Sequence, residues 1–106
     1  MAERTREIGM SEVFVVGVGM TPFGRFLDTS VKDLTREVVD QTLTDAGCKK
    51  EAVGAAYFAN TTQRVLEGQY LVPAQMALRD LGFEGIPISN VENACASAST
   101  AFQHAF

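Results

Sequence analysis

The sequence predicts an α/β fold with the element order βαβαβα and a mostly parallel sheet. Three observations predict it. Residues 13–18, Val-Phe-Val-Val-Gly-Val, form a nearly unbroken β-branched and aromatic run, the kind that a parallel sheet covers on both faces. Residues 30–46 then carry apolar side chains at helical spacing. The same strand-then-helix alternation follows twice more, over residues 53–81 and from residue 86 onward. Strands alternating with helices pair in parallel through right-handed crossovers.

Taken in order, residues 1–12 are mixed and charged and read as a flexible N-terminal arm. Residues 13–106 read as one folded unit, with residues 13–18 as its first strand. A loop with Pro22 and Gly24 as breakers follows. Gly17 and Gly19 invite a dinucleotide-binding reading. The third glycine of that fingerprint would fall on Pro22, and the next helix starts only near Val31, so turn chemistry is the better account.

The clearest helix spans residues 30–46. Ser30 is placed to cap it, and Asp33 completes a capping box. Val31, Leu34, Val38, Leu43 and Ala46 recur at helical spacing, with Val39 widening the stripe. Lys32, Asp33, Arg36, Glu37 and Asp40 read as a solvated face. Gly47 is a natural C′ residue, and Cys48 after it reads as structural.

The second strand is placed over residues 53–59, and the polar loop Asn60-Thr61-Thr62-Gln63 follows it. Open α/β sheets gather ligands beyond the carboxyl ends of their strands. The loop therefore reads first as an ordinary polar connection, and second as a wall of a site or a subunit contact. A helix over residues 69–81 places Leu71, Ala74, Ala77, Leu78 and Leu81 on one side and Pro73 in its first turn. Met76 reads as packing, and Gly82 and Gly85 end the segment. Residues 86–92 form the third strand. The third helix opens at Cys95, with Cys95, Ala98, Phe102 and Ala105 on one face.

Composition limits the function. The chain has 106 residues, enough for one small domain, with 46% hydrophobic and 21% charged residues. Its net charge is −4 with no basic cluster, which argues against nucleic acid as a partner. The first residues lack a secretory apolar core, and no apolar run is long enough to span a membrane. A cytoplasmic location with Cys48 and Cys95 as two free thiols follows as the expectation. No His, Cys and carboxylate cluster has ligand spacing, so no metal is expected.

Chemistry concentrates at Cys95. A thiol at a strand-to-helix junction meets the unpaired N–H groups and partial positive charge of a helix start. Such a setting favours thiolate, the form that attacks carbonyl carbon, and the same N–H groups can hold a developing oxyanion. A cysteine among alanines and serines can also simply pack. Ser97 and Ser99 are weaker nucleophile candidates, having no G-x-S-x-G setting. His104, the sole histidine, lies about 13–14 Å along a helix from Cys95. It reads as a packing or surface residue, not as the partner of the thiol.

The segment Ile86-Pro87-Ile88-Ser89-Asn90-Val91-Glu92-Asn93-Ala94-Cys95-Ala96-Ser97-Ala98-Ser99-Thr100-Ala101 resembles the nucleophile segment of the thiolase superfamily. It is most similar to the sterol-carrier-protein-2 type, often labelled lipid-transfer proteins or acetyl-CoA acetyltransferases. Residues 13–26, with Gly17, Gly19, Met20, Thr21, Pro22, Phe23 and Gly24, resemble that family's first strand and loop. The resemblance implies that Cys95 is the catalytic nucleophile, acylated by a 3-oxoacyl-CoA and relieved by free coenzyme A. Coenzyme A thioester is then substrate, not a bound cofactor; the residues that hold it are unknown. Lipid or steroid metabolism and a homodimer or larger oligomer are implied as well, with residues 61–69 near a partner subunit. Ala98 departs from the glycine many members carry there, which puts substrate size in question. Family members are several times longer and hold their further catalytic histidine and cysteine downstream. The 106 residues therefore read as an N-terminal portion, truncated inside the nucleophile helix and inactive alone. Two alternatives stand beside this. One is a thiolase-fold steroid-CoA aldolase working with a partner protein that supplies a missing part. The other is a non-catalytic assembly fragment.

Overall fold

A computed structural model of the protein describes residues 12–106. The order of elements is α1 (Val31–Ala46), a 3-10 turn (Lys50–Ala52), β1 (Ala56–Ala59), α2 (Gln63–Glu67), α3 (Pro73–Arg79), β2 (Ile88–Val91) and α4 (Ser97–Ala105). The mixed α/β class and the parallel pairing are as the sequence predicts. β1 and β2 pair in parallel, with Ala56 opposite Ile88 and Ala59 opposite Val91. Ala56 N–H donates to Pro87 O and Asn60 N–H to Val91 O, so the pairing runs one residue past each strand.

The strand period of two distributes the helices over both faces. Ala55, Tyr57 and Ala59 face α4, where they line a shallow groove with Ala101, Phe102 and Ala105. Ala56 faces the opposite way, into an apolar space shared with Val39, Thr42 and Leu43 of α1 and Leu78 of α3. The sheet is thus the middle of three layers. Its buried apolar residues are Ala74, Ala77 and Leu78 of α3, Val91 of β2 and Ala101 of α4. These are mostly small, so close backbone approach replaces large side chains as the source of packing.

Helix α1 follows its sequence signals closely. Ser30 Oγ accepts from Asp33 N–H at 3.1 Å, and Asp33 Oδ2 accepts from Ser30 N–H at 3.0 Å. Gly47 ends the helix in the left-handed region at φ 66°. The buried stripe is wider than its apolar residues alone. Thr35 is its most buried member. The hydroxyls of Thr35 and Thr42 bond back to Val31 O and Val38 O, each at 2.7 Å, which lets both residues sit in the stripe.

Helix α3 is shorter than the expected 69–81. Val72 takes a left-handed conformation, φ 44°, and supplies no side-chain cap. That break turns Leu71 outward, where it is exposed. The missing cap comes from β2 instead: Asn90 Oδ1 accepts from Ala74 N–H at 2.8 Å, while Asn90 Nδ2 donates to Gln75 Oε1 at 2.7 Å. Gln75 Nε2 reaches Ile88 O at 3.3 Å. Pro73 occupies the first helical position, as its fixed φ favours. Gly82, at φ 85°, closes the segment.

Residues 13–18 depart from expectation. They join no ladder among the described residues, and Val13, Phe14, Val15, Val16 and Val18 are exposed. Instead the segment lies along α1. Val18 N–H donates to Asp45 Oδ2 at 2.9 Å and Met20 N–H to Gln41 Oε1 at 3.0 Å. Gly17 and Gly19 alternate with these donors and face the helix. A Cβ on Gly17 would meet Ala46 Cβ and Thr42 O at 2.7 Å; one on Gly19 would meet Thr42 Oγ1 at 2.6 Å. The glycines therefore serve close backbone approach, not a turn. Cys48, expected to be structural, is also exposed. Of the expected flexible arm over residues 1–12, all but Glu12 lies outside the described residues.

Two predictions follow from these contacts. Gly17→Ala lowers stability by about 1–3 kcal/mol, the range for forcing an extra methyl into packed structure. Gly54→Ala, with nothing within 4 Å of the new Cβ, changes it by less than about 0.5 kcal/mol. Urea unfolding of both variants checks the contrast. The second concerns Asp33. The Ser30 backbone and side-chain hydrogen bonds hold its carboxyl below the ordinary aspartate value. Its contribution is thus complete above the ordinary value of about 3.9 and is lost as pH falls through the lower folded value. Asp33→Asn is expected to destabilise at neutral pH, with the deficit shrinking through the acid range. Unfolding midpoints measured across that range read the convergence.

Candidate active site

The parallel ladder ends both strands on the same side of the sheet, so the segments leaving β1 and β2 lie next to each other. From β2 the chain runs through Glu92, Asn93, Ala94 and Cys95 into α4. From β1 it runs through Asn60 and Thr61 into α2. Cys95 is free and exposed. Helix α4 begins at Ser97 with Ala96 as N-cap, so Cys95 precedes the helix by one turn position and does not open it. This corrects the expected boundary. Two i→i+3 bonds build the tight turn before the helix: Ala96 N–H to Asn93 O at 2.9 Å and Ser97 N–H to Ala94 O at 3.2 Å.

The turn is strained at one point. Ala94 has φ 46°, in the left-handed region that costs an L-residue roughly 1–2 kcal/mol. Side chains hold it there. Ser97, buried with 5% exposure, donates from Oγ to Ala94 O at 2.7 Å and accepts from Asn93 N–H at 2.7 Å. Thr61 Oγ1, from the other loop, bonds Ala94 O at 2.9 Å and lies 3.0 Å from Ser97 Oγ. Glu92 Oε2 accepts from Ala94 N–H. Asn93 Nδ2 donates to Thr100 Oγ1 at 3.1 Å, tying the turn to the first turn of α4. A non-glycine left-handed residue persists where its surroundings over-determine it, and here four side chains do so.

This arrangement leaves specific donors open. Among the described residues, no acceptor meets the N–H of Cys95, Ala98 or Ser99. The last two are first-turn donors of α4 that lack an intrahelical acceptor. Cys95 N–H shares a planar peptide with Ala94 O. With that oxygen held inward by two hydroxyls, the N–H on the trans peptide points the opposite way. An exposed thiol beside outward N–H groups can attack an electrophilic carbonyl and stabilise the resulting oxyanion.

The other expected residues fall as follows. His104 is exposed on the last turn of α4, with its ring set edge-on to Tyr57 at 6.3 Å between centroids. Ala98 lines the groove between α4 and β1, and Cys95 is not among that groove's lining residues. Its methyl therefore faces the sheet. Ser97, weighed only as a nucleophile, is a buried support of the turn. The Asn60–Gln63 loop does reach the Cys95 turn, through Thr61. A polar loop at a strand's carboxyl end was the signal for this, but sequence gave no sign of which residue makes contact. Beyond Thr61 a cleft of about 170 Å³ is lined by Asn60, Gln63, Arg64, Tyr70 and Glu92 among others. Gln63 is buried there. Its Nε2 donates to Glu67 Oε2 at 3.2 Å, and its Oε1 has no partner among the described residues.

The family model of the thiolase N-terminal domain matches residues 13–106. Sterol carrier protein 2 of Gallus gallus is 42% identical over 91 residues, covering 84% of this chain and 16% of that protein. Non-specific lipid-transfer protein-like 2 of Caenorhabditis elegans is 37% identical over 92 residues, covering 84% of this chain and 21% of that protein. Acetyl-CoA acetyltransferase of Methanocaldococcus jannaschii is 30% identical over 96 residues, covering 91% of this chain and 24% of that protein. The chain thus spans a quarter or less of the length of these curated relatives. A match to the thiolase N-terminal domain over all but the first twelve residues, on a parallel α/β frame with a cysteine at its strand-to-helix turn, means that the chain belongs to the thiolase family.

Proposed function

We propose that this chain is the N-terminal part of a thiolase-like acyl-CoA acyltransferase that acts on 3-oxoacyl-CoA in lipid or sterol side-chain metabolism, with Cys95 carrying the acyl group. The observation that carries this reading is the exposed Cys95 thiol on a buttressed turn beside unpaired N–H groups. The names of the relatives support the substrate class: an acetyl-CoA acetyltransferase and sterol carrier proteins.

In this reading the Cys95 thiolate attacks the 3-oxo carbon. The C2–C3 bond breaks, its electron pair passes to the departing acetyl-CoA enolate, and that enolate takes up a proton. The acyl group stays on Cys95 as a thioester. Free coenzyme A then attacks the thioester carbonyl, takes the acyl group and returns the thiolate. Cys95 N–H is an oxyanion donor for the tetrahedral stages, being fixed before the reaction begins. The groups that deprotonate the thiol and handle the substrate proton belong to the remainder of the longer protein. The exposed apolar side chains of residues 13–18, α2 and α4 suit a protein that works as a homodimer or larger oligomer; a cytoplasmic location belongs to the same proposal.

The test is intact mass and peptide mapping of the full-length protein after incubation with acetyl-CoA. One acetyl group is expected on the Cys95 peptide, lost in Cys95→Ala, retained in Cys48→Ala and removed by added coenzyme A. Equal labelling of Cys48 and Cys95, both exposed thiols, would mean simple chemical exchange and sink the reading. Full turnover of a 3-oxoacyl-CoA or steroid-CoA by Cys95→Ala would turn the assignment toward an aldolase on the same fold.

A further inference from the structure

We infer that Thr61 is a positioning residue for Cys95, acting through the Ala94–Cys95 peptide. The inference rests on the acyl-carrier reading of Cys95. Three oxygens form a closed triangle: Thr61 Oγ1 to Ala94 O at 2.9 Å, Thr61 Oγ1 to Ser97 Oγ at 3.0 Å, and Ser97 Oγ to Ala94 O at 2.7 Å. Two hydroxyl protons serve three edges. Ser97 Oγ already accepts from Asn93 N–H. In one arrangement Ser97 donates to Ala94 O and Thr61 donates to Ser97. In another Thr61 donates to Ala94 O and Ser97 donates to Thr61. In a third, both hydroxyls donate to Ala94 O, whose two lone pairs accept them; in the last two Thr61 bonds that carbonyl directly.

The two supports are not equivalent. Ser97 belongs to the helix that the turn enters, three residues from Ala94. Thr61 lies 33 residues away in sequence, at the end of the neighbouring strand. Only Thr61 therefore ties the turn to a second element of the sheet. The Ala94 carbonyl and the Cys95 N–H are two ends of one planar unit. A rotation of that unit about its Cα–Cα axis changes ψ of Ala94 and φ of Cys95 and swings the Cys95 N–H away from its outward direction. Thr61 opposes this rotation from outside the turn, so it fixes the donor that faces the thiol's reacting carbonyl. It touches neither thiol nor substrate in this role.

Thr61 is exposed, and Thr61→Val removes its hydroxyl at nearly constant side-chain shape. Single-turnover acetylation of Cys95 by acetyl-CoA is expected to slow about tenfold or more at saturation, as misplacement of a reacting group does. The acetyl-CoA concentration for half-saturation stays unchanged, and Thr61→Ser restores the rate. Iodoacetamide alkylation gives a readout that needs no coenzyme A: the Cys95-to-Cys48 rate ratio is expected to shift in Thr61→Val and return in Thr61→Ser. Wild-type acetylation rates and ratio in Thr61→Val would overturn the inference, as would a Thr61→Ser variant as slow as Thr61→Val. If the wild type is acetylated at Cys95 and Thr61→Val equally so, the role of Thr61 fails and the acyl-carrier reading stands. If the wild type takes no acetyl group at Cys95, that reading fails, and the alkylation ratio alone decides whether Thr61 positions the turn.

Discussion

The parallel pairing of Ala56–Ala59 with Ile88–Val91 is the constraint on which the rest of the structure depends. Parallel strands end on the same side, so the loop after β1 and the turn after β2 become neighbours although more than thirty residues separate them. The same pairing sends Tyr57 and Ala59 toward α4 and Ala56 toward α1 and α3. One short ladder thereby sorts the helices into layers and sets the two site segments side by side.

Around that ladder the chain packs by close approach. Its buried apolar residues are chiefly alanines, and Gly17 and Gly19 bring an extended segment against α1 where any Cβ would collide. Polar side chains do work that large apolar groups do elsewhere. Asn90 caps α3 from β2, Asp45 and Gln41 satisfy the backbone of residues 18 and 20, and Glu67 Oε1 accepts from Val31 N–H at 2.8 Å at the start of α1. Each of these bonds joins two elements, so orientation between elements is set by directional contacts as much as by area. Many large apolar side chains, Phe23 and Phe102 among them, are exposed among the described residues.

The turn at Cys95 combines strain with support. Ala94 sits in a conformation that an isolated chain disfavours, and the hydroxyls of Ser97 and Thr61 converge on its carbonyl. A site assembled this way has its donors oriented before any substrate arrives, which is the condition for electrostatic stabilisation of a developing charge. Membership in the thiolase family gives this geometry its chemical context, and the chain spans a quarter or less of the length of the relatives reported for it.

The sequence by itself determined what rests on local forces. The capping box of Ser30 and Asp33, the left-handed Gly47, Pro73 at a helix start and the strand-turn-helix run around Cys95 were all legible. Each depends on contacts within a few residues. The parallel α/β class was legible as well, because strand-like apolar runs alternating with helical periodicity leave few ways to bury both kinds of element. Tertiary structure decided the rest. It shortened the 69–81 helix, because Val72 turns left-handed and the cap comes from Asn90 across the sheet. It set residues 13–18 along α1, because glycine spacing and side-chain acceptors on the helix capture that backbone. It also brought Thr61 to the Ala94 carbonyl. That contact has no signature in either segment, because it exists only once the two strands lie in register.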